Sequence, residues 1–151
     1  NNVYIIWLCL INVLSLYNNQ RSADTISTPH KQKTMCIIIV KSKDKKVSQS
    51  VLRASSLINP HGLGVIWLDT NEVNYHKSKE WSVLDTDRPY IAHFRYATKG
   101  KINRENTHPF ECGNNSNELL MHNGTLLGYG SKDLCDSKQL ANELGHRPRH
   151  Q

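Results

Sequence analysis

The chain has 151 residues, 38% of them hydrophobic, which suits one globular domain and excludes a disordered chain. Its formal net charge is +6; residues 1–35 hold three cations (Arg21, Lys31, Lys33) against Asp24, and much of the remaining excess sits in the run Lys41, Lys43, Lys45, Lys46. That run reads as a solvated loop or helix entry and falls short of the one-sided basic surface of a nucleic-acid binder, so no nucleic-acid partner is expected.

Residues 3–17 form an apolar block that is short for a membrane span of about 20 residues. No Lys or Arg precedes it and no small-x-small cleavage site follows it, as a signal peptide would require. The first methionine is Met35, and clear strand patterning begins there. Residues 1–34 are therefore read as a leader outside the domain, upstream sequence carried in frame before a start at Met35. A signal or anchor segment and a cleaved propeptide are the alternatives. No membrane partner is expected.

From Cys36 onward the elements follow in order. Cys36–Val40 is a continuous apolar, β-branched run and predicts a buried strand. Val47, Val51, Leu52 and Ile58 share one helical face. Asn59-Pro60-His61-Gly62 is a turn, residues 64–69 a second strand, and Val73–His76 pairs back as a hairpin. Tyr90–Tyr96 alternates as a strand, and Glu118–His122 is another, ending at Asn123-Gly124. Asp136 or Ser137 caps a last helix that sets Leu140, Ala141 and Leu144 on one face. Residues 145–151 have no core pattern, so the domain, residues 35–151, is expected to be partial at its C-terminal end. Hairpin-like strands with helices at both ends of the order predict an α+β layered fold.

The four cysteines, Cys9, Cys36, Cys112 and Cys135, include no C-x-x-C pair. That spacing argues against a zinc site, and the low density argues against a disulfide scaffold. Reduced thiols in the cytoplasm are the expectation, with Cys112 and Cys135 as plain buried thiols. His93, His108 and His122 read as core or turn histidines, and no metal is assigned to them.

Four segments carry chemistry in this order: Met35-Cys36 at a strand start, His93-Phe-Arg-Tyr-Ala-Thr98, His122-Asn-Gly124, and Asp136-Ser137 before a helix. Asn59-Pro-His-Gly-Leu-Gly64 and Asn106-Thr-His-Pro-Phe110 lie between them. Over about Met35 to Leu144 this set resembles the class-II glutamine amidotransferases, which are N-terminal-nucleophile hydrolases, and in particular the small stand-alone forms of phages and bacteria. The resemblance implies an αββα four-layer sandwich. It implies Cys36 as the nucleophile, Asn123 and Gly124 as the oxyanion hole, Arg95 as the clamp on the substrate α-carboxylate, and Asp136 as the partner of its α-ammonium. Thr98 is expected to line the same site. The glycine that usually follows the nucleophile is Ile37 here.

The implied reaction is hydrolysis of the glutamine side-chain amide to glutamate and ammonia, with no cofactor. An amide is a weak electrophile, so the thiolate of Cys36 is the suitable nucleophile. With Met35 removed, the α-amine of Cys36 can serve as its base. The chain carries no synthase or isomerase domain and no Gly-rich phosphate loop, so besides glutamine as partner the expectation is that ammonia is either released or passed to a separate ammonia-accepting synthase. Taken singly, Cys36 reads as a small buried hydrophobe, Arg95 as a surface ion pair, Asn123-Gly124 as a hairpin turn and Asp136 as an N-cap. The alternative function is an inactive domain of the same fold acting as an interaction module.

Overall fold

The computed structural model describes residues 3–8, 35–112 and 118–144. Residues 1–2, 9–34, 113–117 and 145–151 lie outside the described residues. The chain folds as a mixed α and β protein around two sheets.

The first sheet has four antiparallel strands, β2 (Ile37–Lys41), β3 (Leu63–Trp67), β4 (Val73–His76) and β5 (Tyr90–Phe94), in the order β2-β5-β3-β4. The central strands β3 and β5 are buried along their whole length. Leu63, Val65 and Trp67 point to one face with Tyr90, Ala92 and Phe94, as the two-residue period of a strand requires. Leu52 of helix α1 (Gln49–Ile58) and Leu84 complete that core.

Three expectations are corrected here. β2 is an edge strand, so Ile37–Ile39 are half-buried and Val40 is 60% exposed. In α1, Val51, Leu57 and Ile58 are exposed, and the buried face is Leu52, Ser55 and Ser56. Serines serve there because α1 docks on a 3-10 segment, Ser78–Leu84, through hydrogen bonds: Ser56 Oγ donates to the Ser78 carbonyl at 2.8 Å, and Ser78 Oγ to that of Asn59 at 2.6 Å. The lysine run also divides. Lys43, Lys45 and Lys46 are exposed, whereas Lys41 is buried and donates to the Asp87 and Arg88 carbonyls at 3.2 and 3.0 Å.

The second sheet has the order β1-β7-β6. β6 (Phe110–Glu111) pairs antiparallel with β7 (Glu118–Asn123), and β1 (Val3–Leu8) runs parallel to β7, with Leu8 opposite Asn123. Leu119 and Met121 of β7 meet Ile66 and Ile91 of the first sheet, so the two sheets share a core. On the other face of β7, Leu120 packs with Phe110, Cys112, Cys135 and Ala141 of helix α2 (Asp136–Leu144), and Leu140 and Leu144 join them. The apolar face of α2 is the one its sequence predicts. A Cβ on Gly64 would overlap the His108 carbonyl oxygen, so the segment leading into β6 crosses β3 in direct backbone contact. No helix among the described residues is long and apolar enough to cross a membrane.

Candidate active site

Strand register explains why Cys36 and Arg95 meet. Ile37 pairs with Phe94, and one further step of the antiparallel ladder sets Cys36 opposite Arg95. On the other side of β5 the Arg95 N–H donates to the Gly62 carbonyl at 2.8 Å. Position 95 is thus fixed from both neighbouring strands at the end of the sheet.

Cys36 is half-buried, and its Sγ accepts the Tyr96 backbone N–H at 3.2 Å. Burial pushes its thiol pKa up, with Asp136 adding in the same direction; the Tyr96 hydrogen bond and the Arg95 charge pull it back only in part. The thiol therefore holds its proton at neutral pH and needs a base before it can attack.

The Arg95 side chain is buried and donates to the Lys101 and Lys99 carbonyls at 3.0 and 3.1 Å. It grips the loop that follows β5 and is not the surface ion pair that a lone arginine suggests. Asp136 is also buried. Its Oδ1 accepts the Ser137 N–H at 2.8 Å and its Oδ2 the Leu126 N–H at 2.7 Å. Gly124 has φ 142°, a backbone region that favours glycine, so the chain can turn sharply as it leaves β7. Asn123 is half-buried, and its side-chain oxygen has no hydrogen-bond partner among the described residues.

Cys36, Arg95, Thr98, Gly124 and Asp136 line one narrow cleft of about 20 Å³. Asn123 is not among its lining residues; it precedes Gly124 in the chain. Tyr96, His108, His122 and Ser137, to which the sequence reading assigns no part in the site, share the wall. Tyr96 was within reach of that reading, because the β2–β5 register sets it beside the end of β2. The histidines were not, because they reach the cleft from another sheet.

His93, His108 and His122 cluster at the cleft, which His108 and His122 line. His93 Nε2 donates to the His122 carbonyl at 3.2 Å, and the His93 and His108 rings lie 4.0 Å apart between centroids. Burial lowers the pKa of all three, that of His93 to about 3, so they are neutral imidazoles. No group of three or more His, Cys, Asp or Glu side chains among the described residues is arranged to hold a metal ion.

A larger open pocket of about 550 Å³, lined among others by His61, Gly62, Lys77, Arg104 and Thr107, contains none of the candidate site residues, although Pro60, His61, Gly62 and Thr107 belong to the two segments that lie between the motifs. His61 connects it to the cleft, since His61 Nδ1 accepts the N–H of Ala97 at 2.8 Å and Ala97 is a cleft residue.

Comparison with known proteins gives one match. Residues 79–141 fit the family model of class-II glutamine amidotransferases. No curated protein and no solved structure matches the chain. The matched stretch takes in Arg95, Thr98, Asn123, Gly124 and Asp136 and leaves Cys36 outside it. On that match, residues 79–141 are similar to the class-II glutamine amidotransferases.

Proposed function

We propose that this domain hydrolyses the side-chain amide of glutamine, with Cys36 as an N-terminal nucleophile, and that residues 1–34 are a leader that the active form lacks. The observation that carries the reading is the meeting of Cys36, Arg95, Thr98, Gly124 and Asp136, drawn from four separate segments, on one cleft. The stacking of α1, the two sheets and α2 supports the αββα sandwich of N-terminal-nucleophile hydrolases.

The α-amine released at Cys36 has an ordinary pKa of about 7.7–8.0 and takes the thiol proton. Sγ then attacks the amide carbon. The oxyanion that forms is met by the Gly124 N–H and the Asn123 side-chain amide, each worth about 3–4 kcal/mol by analogy with other acyl-transfer sites. Ammonia leaves with the proton, and water releases glutamate.

Glutamine needs more room than the cleft holds. Arg95 exchanges its Lys99 and Lys101 carbonyls for the substrate α-carboxylate, because a charge-assisted bidentate bond is stronger than a bond to a neutral carbonyl. The loop moves outward as it does so. Asp136 faces the α-ammonium, and the two charges together select a free amino acid. A reducing, cytoplasmic setting keeps Cys36 as a thiol, and a separate synthase consumes the ammonia.

The test is ammonia and glutamate release by protein beginning at Cys36, with Cys36→Ala and asparagine as controls. Folded protein that hydrolyses neither glutamine nor a γ-glutamyl anilide removes the proposal. One observation favours a second reading, an inert interaction module of the same fold. In the full chain the Cys36 nitrogen is bound in a peptide to Met35. Intact mass of the native protein separates the two, since a start upstream of Cys36 supports the inert module.

A further inference from the structure

The cleft wall carries polarity that the roles of Cys36, Arg95 and Asp136 leave unused. His108 is 4% exposed, its ring lies against Phe110 (centroids 4.4 Å) as well as His93, and it lines the cleft beside Cys36 and Gly124. Neither of its ring nitrogens has a hydrogen-bond partner among the described residues. A neutral imidazole always offers one N–H and one lone pair, and leaving a buried polar group unpaired costs about 1–3 kcal/mol. Phe110 is apolar, and His93, which spends its Nε2–H on the His122 carbonyl, makes no hydrogen bond to His108, its own Nδ1 being without a partner among the described residues. The cleft volume of about 20 Å³ exceeds the roughly 10–15 Å³ that one water needs.

We propose that His108 holds the water that hydrolyses the acyl-enzyme; this rests on the glutaminase reading of Cys36. After ammonia leaves, Sγ of Cys36 is bonded to the γ-carbonyl carbon of the glutamyl group as a thioester. The water donates one hydrogen to the bare nitrogen of His108, which points its lone pair at that carbon. The water oxygen bonds to the carbon. Its other proton passes to the α-amine of Cys36, the C–S bond breaks, and the proton moves on to Sγ. Glutamate keeps the water oxygen in its new carboxyl group. His108 stays neutral throughout, as its burial dictates, and orients the water without titrating.

Pre-steady-state kinetics of protein beginning at Cys36, with γ-glutamyl-p-nitroanilide, separates the two half-reactions. The burst of nitroaniline reports acylation, and the following linear rate reports hydrolysis. In His108→Phe, which keeps a ring and removes the acceptor, acylation should stay within about threefold while hydrolysis falls at least about tenfold. Acyl-enzyme then accumulates in quenched intact-mass spectra, and hydroxylamine, which attacks without His108, restores turnover as γ-glutamyl hydroxamate. Equal slowing of both phases, or no change in either, overturns the proposal. Should His108→Phe fail to fold, His108→Asn decides, since it draws the acceptor back from the cleft. Its partition between hydroxylamine and water should favour hydroxylamine by at least about threefold over the parent, and an unchanged partition overturns the proposal. A parent protein that forms no acyl-enzyme at all refutes the Cys36 reading instead.

Discussion

Asp136 accepts the backbone N–H of Leu126 at 2.7 Å, so the carboxylate that opens α2 also fastens the loop leaving β7 through Asn123 and Gly124. One residue joins the proposed ammonium site to the proposed oxyanion hole.

Asp136→Asn therefore acts twice. The amide NH₂ cannot accept, so either Leu126 or Ser137 loses its partner, at a cost of about 1–3 kcal/mol in a denaturant titration. The lost charge also raises the KM for glutamine by at least about tenfold. A variant of unchanged KM would remove Asp136 from substrate binding and leave it a fastener only.

Arg95→Lys keeps the charge and loses the fork that grips two carbonyls at once. Trypsin should cut at Lys99 and Lys101 faster than in the parent, and KM should rise about tenfold or more. Unaltered proteolysis together with normal kinetics would contradict both roles.

The base is testable through pH. In protein beginning at Cys36, kcat/KM should rise with pH as the α-amine loses its proton, with a midpoint near about 7.7–8.0. A form that retains Met35 has an amide at that nitrogen and should lose about 10²–10⁴-fold in rate along with that rise. Equal activity in the two forms excludes N-terminal-nucleophile chemistry.

The buried histidines set an acid limit on stability. His93, with its pKa near 3, and His108, held well below the ordinary 6.5, are neutral in the folded state. Below about pH 6.5 the unfolded chain binds protons that the native state refuses, so stability falls as pH drops through the window from 6.5 toward 3 and is level above it. The slope is up to about 1.4 kcal/mol per pH unit for each histidine. Carboxylates titrate mostly below this range's upper half, so denaturant midpoints between about pH 7 and about pH 5 isolate the effect. His93→Phe should lessen the slope and leave the His108 part, and a parent profile already flat there would show that these imidazoles titrate normally.

Much of the architecture is legible in sequence because deeply buried elements are dense in apolar residues: β3, β5 and β7 are buried almost throughout, and α2 turns one apolar face inward. The edge position of β2 is not legible, since burial at an edge depends on neighbours the strand does not encode. Nor is the docking of α1, whose buried face carries Ser55 and Ser56 where the sequence offers Val51 and Ile58, because the Ser56 hydroxyl bonds to Ser78. Lys41 misleads in the same way, because three carbonyl oxygens can replace its water. Cys36, Arg95, Thr98 and Asp136 were singled out as an ordered set of motifs, and they do line one cleft. His108 escaped because an open ring nitrogen is a property of packing and leaves no mark on spacing.

The overlap that any Cβ on Gly64 would make with the His108 carbonyl has one more consequence. Strand β3 and the cleft histidine touch main chain to main chain, with no side chain between them to swell, shrink or change rotamer. Repacking elsewhere in the two sheets can be absorbed by side-chain adjustment. At this crossing nothing can give, so the height of His108 over the first sheet is a fixed datum, insulated from drift in the surrounding core.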